Sequence, residues 1–208
     1  MKKLFAMVCT SIFLLASTIN TQAATIGYAD VVLDFYDSGT GPVAGPYGGN
    51  ISSYPIPVAL DVVLGNNENF LSLPAGSYVT VGFTDETIID GPGDDLFIQE
   101  IGAASELADV FISSDLLNYI LLGTADGGAT TSFDFASIGF SDAVQAVKIV
   151  GRDNLGASPG FDVVYVQALP GSIGAPASAG SVPELPAVWL LCFSLLGYFA
   201  KGKKKMVI

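Results

Sequence analysis

Residues 78–101 read YVTVGFTDETIIDGPGDDLFIQEI. Val79, Val81 and Phe83 alternate with Tyr78, Thr80 and Gly82, the period of two that puts one set of side chains on one face of a strand. A second short alternation occupies residues 95–101, where Leu96 and Ile98 interleave with Phe97 and Gln99. Between them lies an acidic connection broken by Gly91, Pro92 and Gly93. Two short strands joined by a polar, glycine-bearing turn are the unit of an all-β domain.

The same unit recurs outward in both directions. Residues 29–36, 57–64, 108–113, 131–135, 143–150 and 161–168 read as strands. Gly65, Asn66 and Asn67 make a turn, residues 73–77 another, and residues 38–50 a Gly/Pro loop. Residues 115–122 fit one helical turn or a strand, and the sequence leaves the choice open. No sustained helical period appears. Strands spaced by roughly 8–12 residues indicate a single β-sandwich or barrel, and the sandwich is the expected fold.

Both ends of the chain carry a different composition. Lys2 and Lys3 precede an apolar run over residues 4–16, and Thr21-Gln22-Ala23 offers small residues for cleavage after Ala23. That is a Sec-type signal peptide, residues 1–23, implying the Sec machinery and signal peptidase as partners. At the other end, Val182-Pro183-Glu184-Leu185-Pro186 leads into an apolar run over residues 187–200, followed by Lys201, Lys203, Lys204 and Lys205. Fourteen helical residues span about 21 Å at ~1.5 Å each, short of the ~30 Å hydrocarbon core. The expected state is a short C-terminal transmembrane helix of transient residence, with the lysines held on the cytoplasmic side as a stop-transfer signal. A plain membrane anchor is the simpler alternative. Residues 170–181, PGSIGAPASAGS, read as a flexible linker, which leaves residues 24–169 as the folded ectodomain.

Charge is segregated too. Six of eight basic residues lie in the terminal signals, so residues 24–181 keep only Lys148 and Arg152 against 19 carboxylates. A formal balance of −17 disfavours nucleic acid and anionic lipid as partners. Cys9 and Cys192 both sit in the apolar terminal runs, and the chain has no histidine. Disulfides, His/Cys zinc sites and Ser-His or Cys-His nucleophile systems are therefore excluded from the ectodomain, and the expectation is a protein that is not an enzyme.

The densest chemistry lies at residues 84–100, where Asp85, Glu86, Asp90, Asp94, Asp95 and Glu100 crowd between two strands. Gly91 and Gly93 let the backbone turn tightly, so Asp90, Asp94 and Asp95, with Glu100, form a candidate oxygen-ligand set for calcium. The spacing is not that of an EF-hand, and a solvated acidic turn is the plain alternative. Tyr36, Tyr47 and Tyr54 near the Gly/Pro loop are candidates for a sugar-stacking platform, or are ordinary strand and loop packing.

Two resemblances add to this reading. The ordered tail, with Val182-Pro183-Glu184, Pro186, Trp189, Leu190, Leu191, Leu195, Leu196, Gly197 and the basic end, resembles the PEP-CTERM sorting signal in a VPxxPA-type variant. Leu185 stands where the commonest form has proline. The resemblance implies recognition by an exosortase, a membrane cysteine transpeptidase of bacteria that export polysaccharide. It further implies passage across the inner membrane and delivery to the cell surface or extracellular matrix. Within the body, DGPGDDLFI at 90–98, ADVFISSD at 108–115 and SPGFDVVYV at 158–166 resemble a recurrent bacterial surface β-sandwich, which implies a jelly-roll like that of galactose-binding-like modules. Relatives often carry a second acid two residues after the Asp162 position; Val164 stands there, which counts against Asp162 as a metal ligand. The expected role is that of an exported, non-enzymatic surface or matrix protein. The alternative is a calcium-dependent carbohydrate-binding module for the exported polysaccharide.

Overall fold

A computed structural model describes residues 25–102, 105–128 and 130–177. The expected signal peptide with its cleavage at Ala23, the sorting motif at Val182, Pro183, Glu184 and Pro186, and the lysines at 201, 203, 204 and 205 lie outside the described residues.

Among the described residues the chain is all-β. In order, the strands are β1 (Val31–Tyr36), β2 (Tyr47–Asn50), β3 (Ser53–Pro57), β4 (Asn69–Leu73), β5 (Tyr78–Gly82), β6 (Thr87–Ile88) and β7 (Leu96–Glu100). There follow β8 (Leu107–Ser113), β9 (Ile120–Asp126), β10 (Thr130–Phe133), β11 (Ala146–Gly151), β12 (Phe161–Ala168) and β13 (Ile173–Gly174). A five-stranded sheet runs β1-β5-β11-β8-β9 and a six-stranded sheet β10-β7-β12-β4-β2-β3, with β13 and β6 paired separately. Two 3₁₀ turns, Leu60–Val63 and Phe135–Ile138, are the helical pieces described. No described helix is long and apolar enough to cross a membrane.

Strand alternation places the core. In the five-stranded sheet, Ile149 of β11 sits opposite Val79 of β5 and Val110 of β8, and all three are fully buried. Leu71, Leu73, Leu96, Ile98, Phe161 and Val163 line the facing side of the six-stranded sheet in the same cluster. The two sheets thus pack in a sandwich-like arrangement. Phe135, fully buried, fills the core from its 3₁₀ turn. That turn is capped by the Asp134 carboxylate, which accepts from the Ala136 amide at 2.8 Å.

Several expected elements differ. Residues 57–64 were expected as one strand, but β3 ends at Pro57 and Leu60–Val63 turns as 3₁₀. With three residues per turn, Leu60 and Val63 share a side, and Val63 is fully buried. Pro55 and Pro57 instead mark β3 as an edge strand of the six-stranded sheet, where a missing N–H is tolerated. The open segment 115–122 resolves into a turn and the start of β9. In that turn the Asp115 carboxylate accepts from the amides of Leu117 and Asn118, and these bonds hold its pKa well below the usual range. The folded body also continues past Leu169: β13 pairs with β6, and Ser172 is buried, so residues 170–174 belong to the body rather than to a linker.

Candidate functional site

The six-stranded sheet turns its outer face to a cleft. Leu71, Leu73, Phe161 and Val163 enter the core, so their alternates Phe70, Ser72 and Asp162 lie on the opposite face. Asp162 stands opposite Ser72 in the β12–β4 ladder. The Ser72 hydroxyl donates to the Asp162 carboxylate and shares a 2.7 Å hydrogen bond with the Ser158 hydroxyl.

Loop connections bring two more acids to this point. The amide of Ile101 donates to the Asp162 carbonyl at 3.1 Å, which sets the end of β7, with Glu100, beside Asp162. Glu106, at the entrance to β8, accepts through its carbonyl from Gly127 at 2.6 Å. Oxygens of Glu100, Glu106 and Asp162 lie within 4.8 Å of one another, and all three residues are buried. The loop carrying Ser158 is fastened by the Asp153 carboxylate, which accepts from the Leu107 and Leu155 amides at 2.9 and 3.1 Å. The buried Tyr47 hydroxyl donates to the Pro159 carbonyl from the other side; burial, then Asp162 and Asp37, raise its pKa.

The electrostatics are unusual for so acidic a body. Burial pushes the Asp162 carboxyl up to about 8; Glu106 and Glu100 push the same way, against the lowering effect of the Ser72 hydroxyl. Among the described residues the basic side chains serve elsewhere: Lys148 lies 3.5 Å from the Tyr78 ring centroid, and Arg152 pairs with Asp109 at 3.4 Å. Carboxylates this close stay ionised together only with a cation among them; otherwise one of them holds a proton. Glycines make the approach feasible. A Cβ on Gly102 would collide with Glu100 Oε1 and Glu106 Oε2, and one on Gly156 with Glu106 Oε1. Glu100 Oε2 accepts from the Gly128 amide. One oxygen from each of the three carboxylates converges, hard donors of the kind that calcium takes.

Above these acids the cleft, of about 370 Å³, is walled by Tyr54, Phe70, Ile51 and Ile101. The Tyr54 and Phe70 rings lie 6.0 Å apart at 58°.

The ligand set expected from sequence divides. Glu100 joins Glu106 and Asp162, whereas Asp90 and Asp95 lie near Asp134. Asp94 is exposed and accepts from the Ser132 hydroxyl. Asp95 is fully buried and already serves as an internal acceptor, from the Gly91 amide (2.7 Å), the Ser172 hydroxyl (2.6 Å) and the Phe135 amide (2.7 Å). Glu106 was missed, and Val164 counted against Asp162, yet the structure groups both with Glu100. Asp162 is 62 positions from Glu100 in sequence, and only ladder register and two loops unite the three. The cue in the sequence was Gly160-Phe161-Asp162 at the head of an apolar strand.

The tyrosine set divides as well. Tyr36 lies on the five-stranded sheet, its ring stacked on Tyr78 with centroids 5.6 Å apart, while Tyr47 is buried in β2. Of the three, Tyr54 alone lines the cleft.

No protein-family model and no curated protein matches the chain. Among solved structures it is similar to the C-terminal domain of a chitobiase from Bacteroides fragilis, at 13% identity and a TM-score of 0.41, covering 67% of this chain and 99% of that one.

Proposed function

We propose that the chain is an exported, non-enzymatic protein of the cell surface or extracellular matrix, whose sandwich holds a calcium ion between Glu100, Glu106 and Asp162. The convergence of these three buried carboxylates within 4.8 Å carries the calcium part. Export rests on the two terminal signals in the sequence. The Sec machinery and signal peptidase open the route. A PEP-CTERM-type tail, read by an exosortase-type transpeptidase after transient anchoring in the inner membrane, closes it. The finer fold reading, a jelly-roll akin to galactose-binding-like modules, belongs to the same proposal and is supported by the segments at 90–98, 108–115 and 158–166.

The cation is tested by thermal unfolding of the full-length chain with calcium and with chelator. Calcium raises the midpoint and chelator lowers it, by an amount equivalent to about 2.7 kcal/mol at ~100 times the dissociation constant. Glu106→Gln with Asp162→Asn removes the response, and Asp90→Asn with Asp94→Asn leaves it. A midpoint indifferent to calcium and chelator in the unsubstituted chain refutes the cation. Mass spectrometry of exported protein tests the sorting: the expected chain begins at Ala24 and lacks Trp189, whereas an intact Lys201–Ile208 end leaves a simple anchor.

One observation favours a second reading, a calcium-dependent carbohydrate-binding module. The carboxylate floor lies under an aromatic wall of Tyr54 and Phe70. A sugar can stack its C–H face on such rings and turn its hydroxyls toward the cation.

A further inference from the structure

The cleft over Asp162 does not end at Ile51 and Ile101. A second cavity, of about 520 Å³, shares Ile51 and Ile101 with it and is further lined by Asn66, Asn67, Glu68, Gln99, Val164 and Tyr165. Each volume lies within the ~300–1,000 Å³ usual for small-molecule sites, and Ile51 and Ile101, common to both, make the two cavities neighbours. Tyr165 and Gln99 belong to β12 and β7, whereas Phe70 and Tyr54 belong to β4 and β3. The strand order β7-β12-β4-β2-β3 therefore gives a groove crossing about 19 Å, four gaps of ~4.8 Å each.

Lining chemistry changes along that length. At the first cavity it is aromatic and acidic. At the second it is a tyrosine ring among amides, with Glu68 as the charged member. These groups are held in place. Tyr165 packs edge-on against Tyr28 with centroids at 5.3 Å, and stacks with Phe97 at 6.0 Å. Gln99 Nε2 donates to the Glu100 carbonyl at 2.8 Å, and Asn67 Nδ2 to the Val62 carbonyl at 2.8 Å. Asn66 Nδ2 donates to the Tyr28 hydroxyl at 3.4 Å. A primary amide has two donor hydrogens and two lone pairs, so Gln99 and Asn66 each keep a donor and an acceptor oxygen for a ligand. Asn67, whose Nδ2 also donates to the Leu64 carbonyl at 3.2 Å and whose Oδ1 accepts from the Asn69 amide at 2.9 Å, keeps one oxygen lone pair. Fixed donors, acceptors and rings lose little entropy on binding.

We propose that the two cavities form one groove for a linear, neutral polysaccharide, with Tyr165 and Tyr54 as stacking stations at its ends and Gln99, Asn66 and Asn67 meeting hydroxyls. This rests on the carbohydrate reading and deepens it by naming the ligand as an extended chain. Charge selects against the alternatives. A polyanion meets Glu68 at one end and, at the other, three carboxylates whose charge a single calcium ion does not fully offset, with no lysine or arginine among the lining residues. A basic peptide has acids to meet at one end, but the tyrosine-and-amide half offers it little, since such a lining recognises uncharged hydroxyl arrays.

The test is calorimetric titration of the full-length chain, in calcium, with cello-, malto-, laminari- and manno-oligosaccharides of one to six units; polygalacturonate and hexalysine serve as charged probes. For at least one series, affinity rises tenfold or more from dimer to hexamer. Tyr165→Ala lowers hexamer affinity about five- to tenfold, the effect of one aromatic stack of ~1 kcal/mol or a little more, and leaves dimer affinity within twofold. Gln99→Ala, a change outside the core, lowers hexamer affinity in the same direction and controls for any misfolding of the tyrosine variant. A hexamer that binds no tighter than the dimer, or is indifferent to both substitutions, overturns the groove while the cleft reading stands. If no saccharide of any length binds, the carbohydrate reading falls and the groove with it. Preference for hexalysine or polygalacturonate over every neutral series overturns the proposed ligand.

Discussion

Asp95→Ala is expected to be among the most damaging single substitutions in the body, although Asp95 is drawn from the most acidic loop. Its side chain is fully buried and takes hydrogen bonds from the Gly91 amide, the Phe135 amide and the Ser172 hydroxyl. Gly91 is half-buried and water can replace the lost acceptor there. Phe135 and Ser172 are buried, so each keeps an unsatisfied donor at about 1–3 kcal/mol. Together with looser seating of the Phe135 ring, the loss comes to about 3–6 kcal/mol, a large share of the ~5–15 kcal/mol that stabilises a domain. Urea unfolding followed by tyrosine fluorescence reads this as a lower midpoint. Asp95→Asn, which keeps one acceptor oxygen, falls between the wild type and Asp95→Ala. Asp94→Ala is the control, since its exposed carboxylate changes stability by no more than about 0.5 kcal/mol. Equal midpoints for Asp94→Ala and Asp95→Ala refute the view that Asp95 is an internal acceptor rather than one more solvated acid.

Three further outcomes follow from other places in the chain. Glu86, buried beside Asp85 and Asp30, has its carboxyl pushed up to about 7, first by burial and then by Asp85. The folded state binds that proton more tightly than the ordinary value of 4.5 allows, so this group's contribution to stability is full below about pH 4.5 and is lost as pH rises to about 7. Glu86→Gln should flatten that part of the stability profile, and an unchanged slope between pH 4.5 and 7 contradicts it. Gly160→Ala should destabilise by about 2–4 kcal/mol in thermal unfolding, because Gly160 has φ +117° and a Cβ there collides with the backbone of Leu73 and Pro74; a loss under 0.5 kcal/mol argues against that packing. On the proposed sorting, replacing Lys201, Lys203, Lys204 and Lys205 with glutamine lowers the cost of entering hydrocarbon, which is ~2.5–3.5 kcal/mol for each lysine, so unprocessed chain should accumulate beyond the membrane. Unaltered processing on a blot would leave the apolar run alone as the recognised element.

Some of this architecture was legible from local pattern alone. Residues 96–100 and 107–112 alternate cleanly because each strand has one face in the core. Residues 78–82 alternate in sequence although both faces are covered, and residues 161–168 shift phase at the irregularity between Val163 and Tyr165. The YGGN of β2 carries no such pattern, yet Gly48 and Gly49 are required where the strand presses on Phe70 and Ser53. Residues 57–64 misled because Val58, Leu60, Val62 and Leu64 alternate as a strand would, while the turn that forms, packed on β4 and β12, buries Val63 from the opposite phase. The acidic loop showed that carboxylates converge but not which ones. Asp95 turned inward to cap the connection to Phe135, while the site drew Glu106 and Asp162 from distant segments through ladder register, which no local window contains.

The β13–β6 pair has a mechanical consequence. It is two residues long, and its anchor is Ser172, which donates to Asp95 and accepts from the Ile89 amide at 2.8 Å. Tension applied to the chain beyond Gly174 reaches this clasp before it reaches β12, which is flanked by β7 and β4 inside the six-stranded sheet. A short antiparallel pair peeled from its end yields one bond at a time, whereas an interior strand must shear two ladders together. The clasp therefore acts as a fuse: under a pull at the C-terminal side, a small extension releases first and the sandwich stays folded behind it. Force–extension traces should show that brief step ahead of the main rupture, and Ser172→Ala should lower the force of the first event alone.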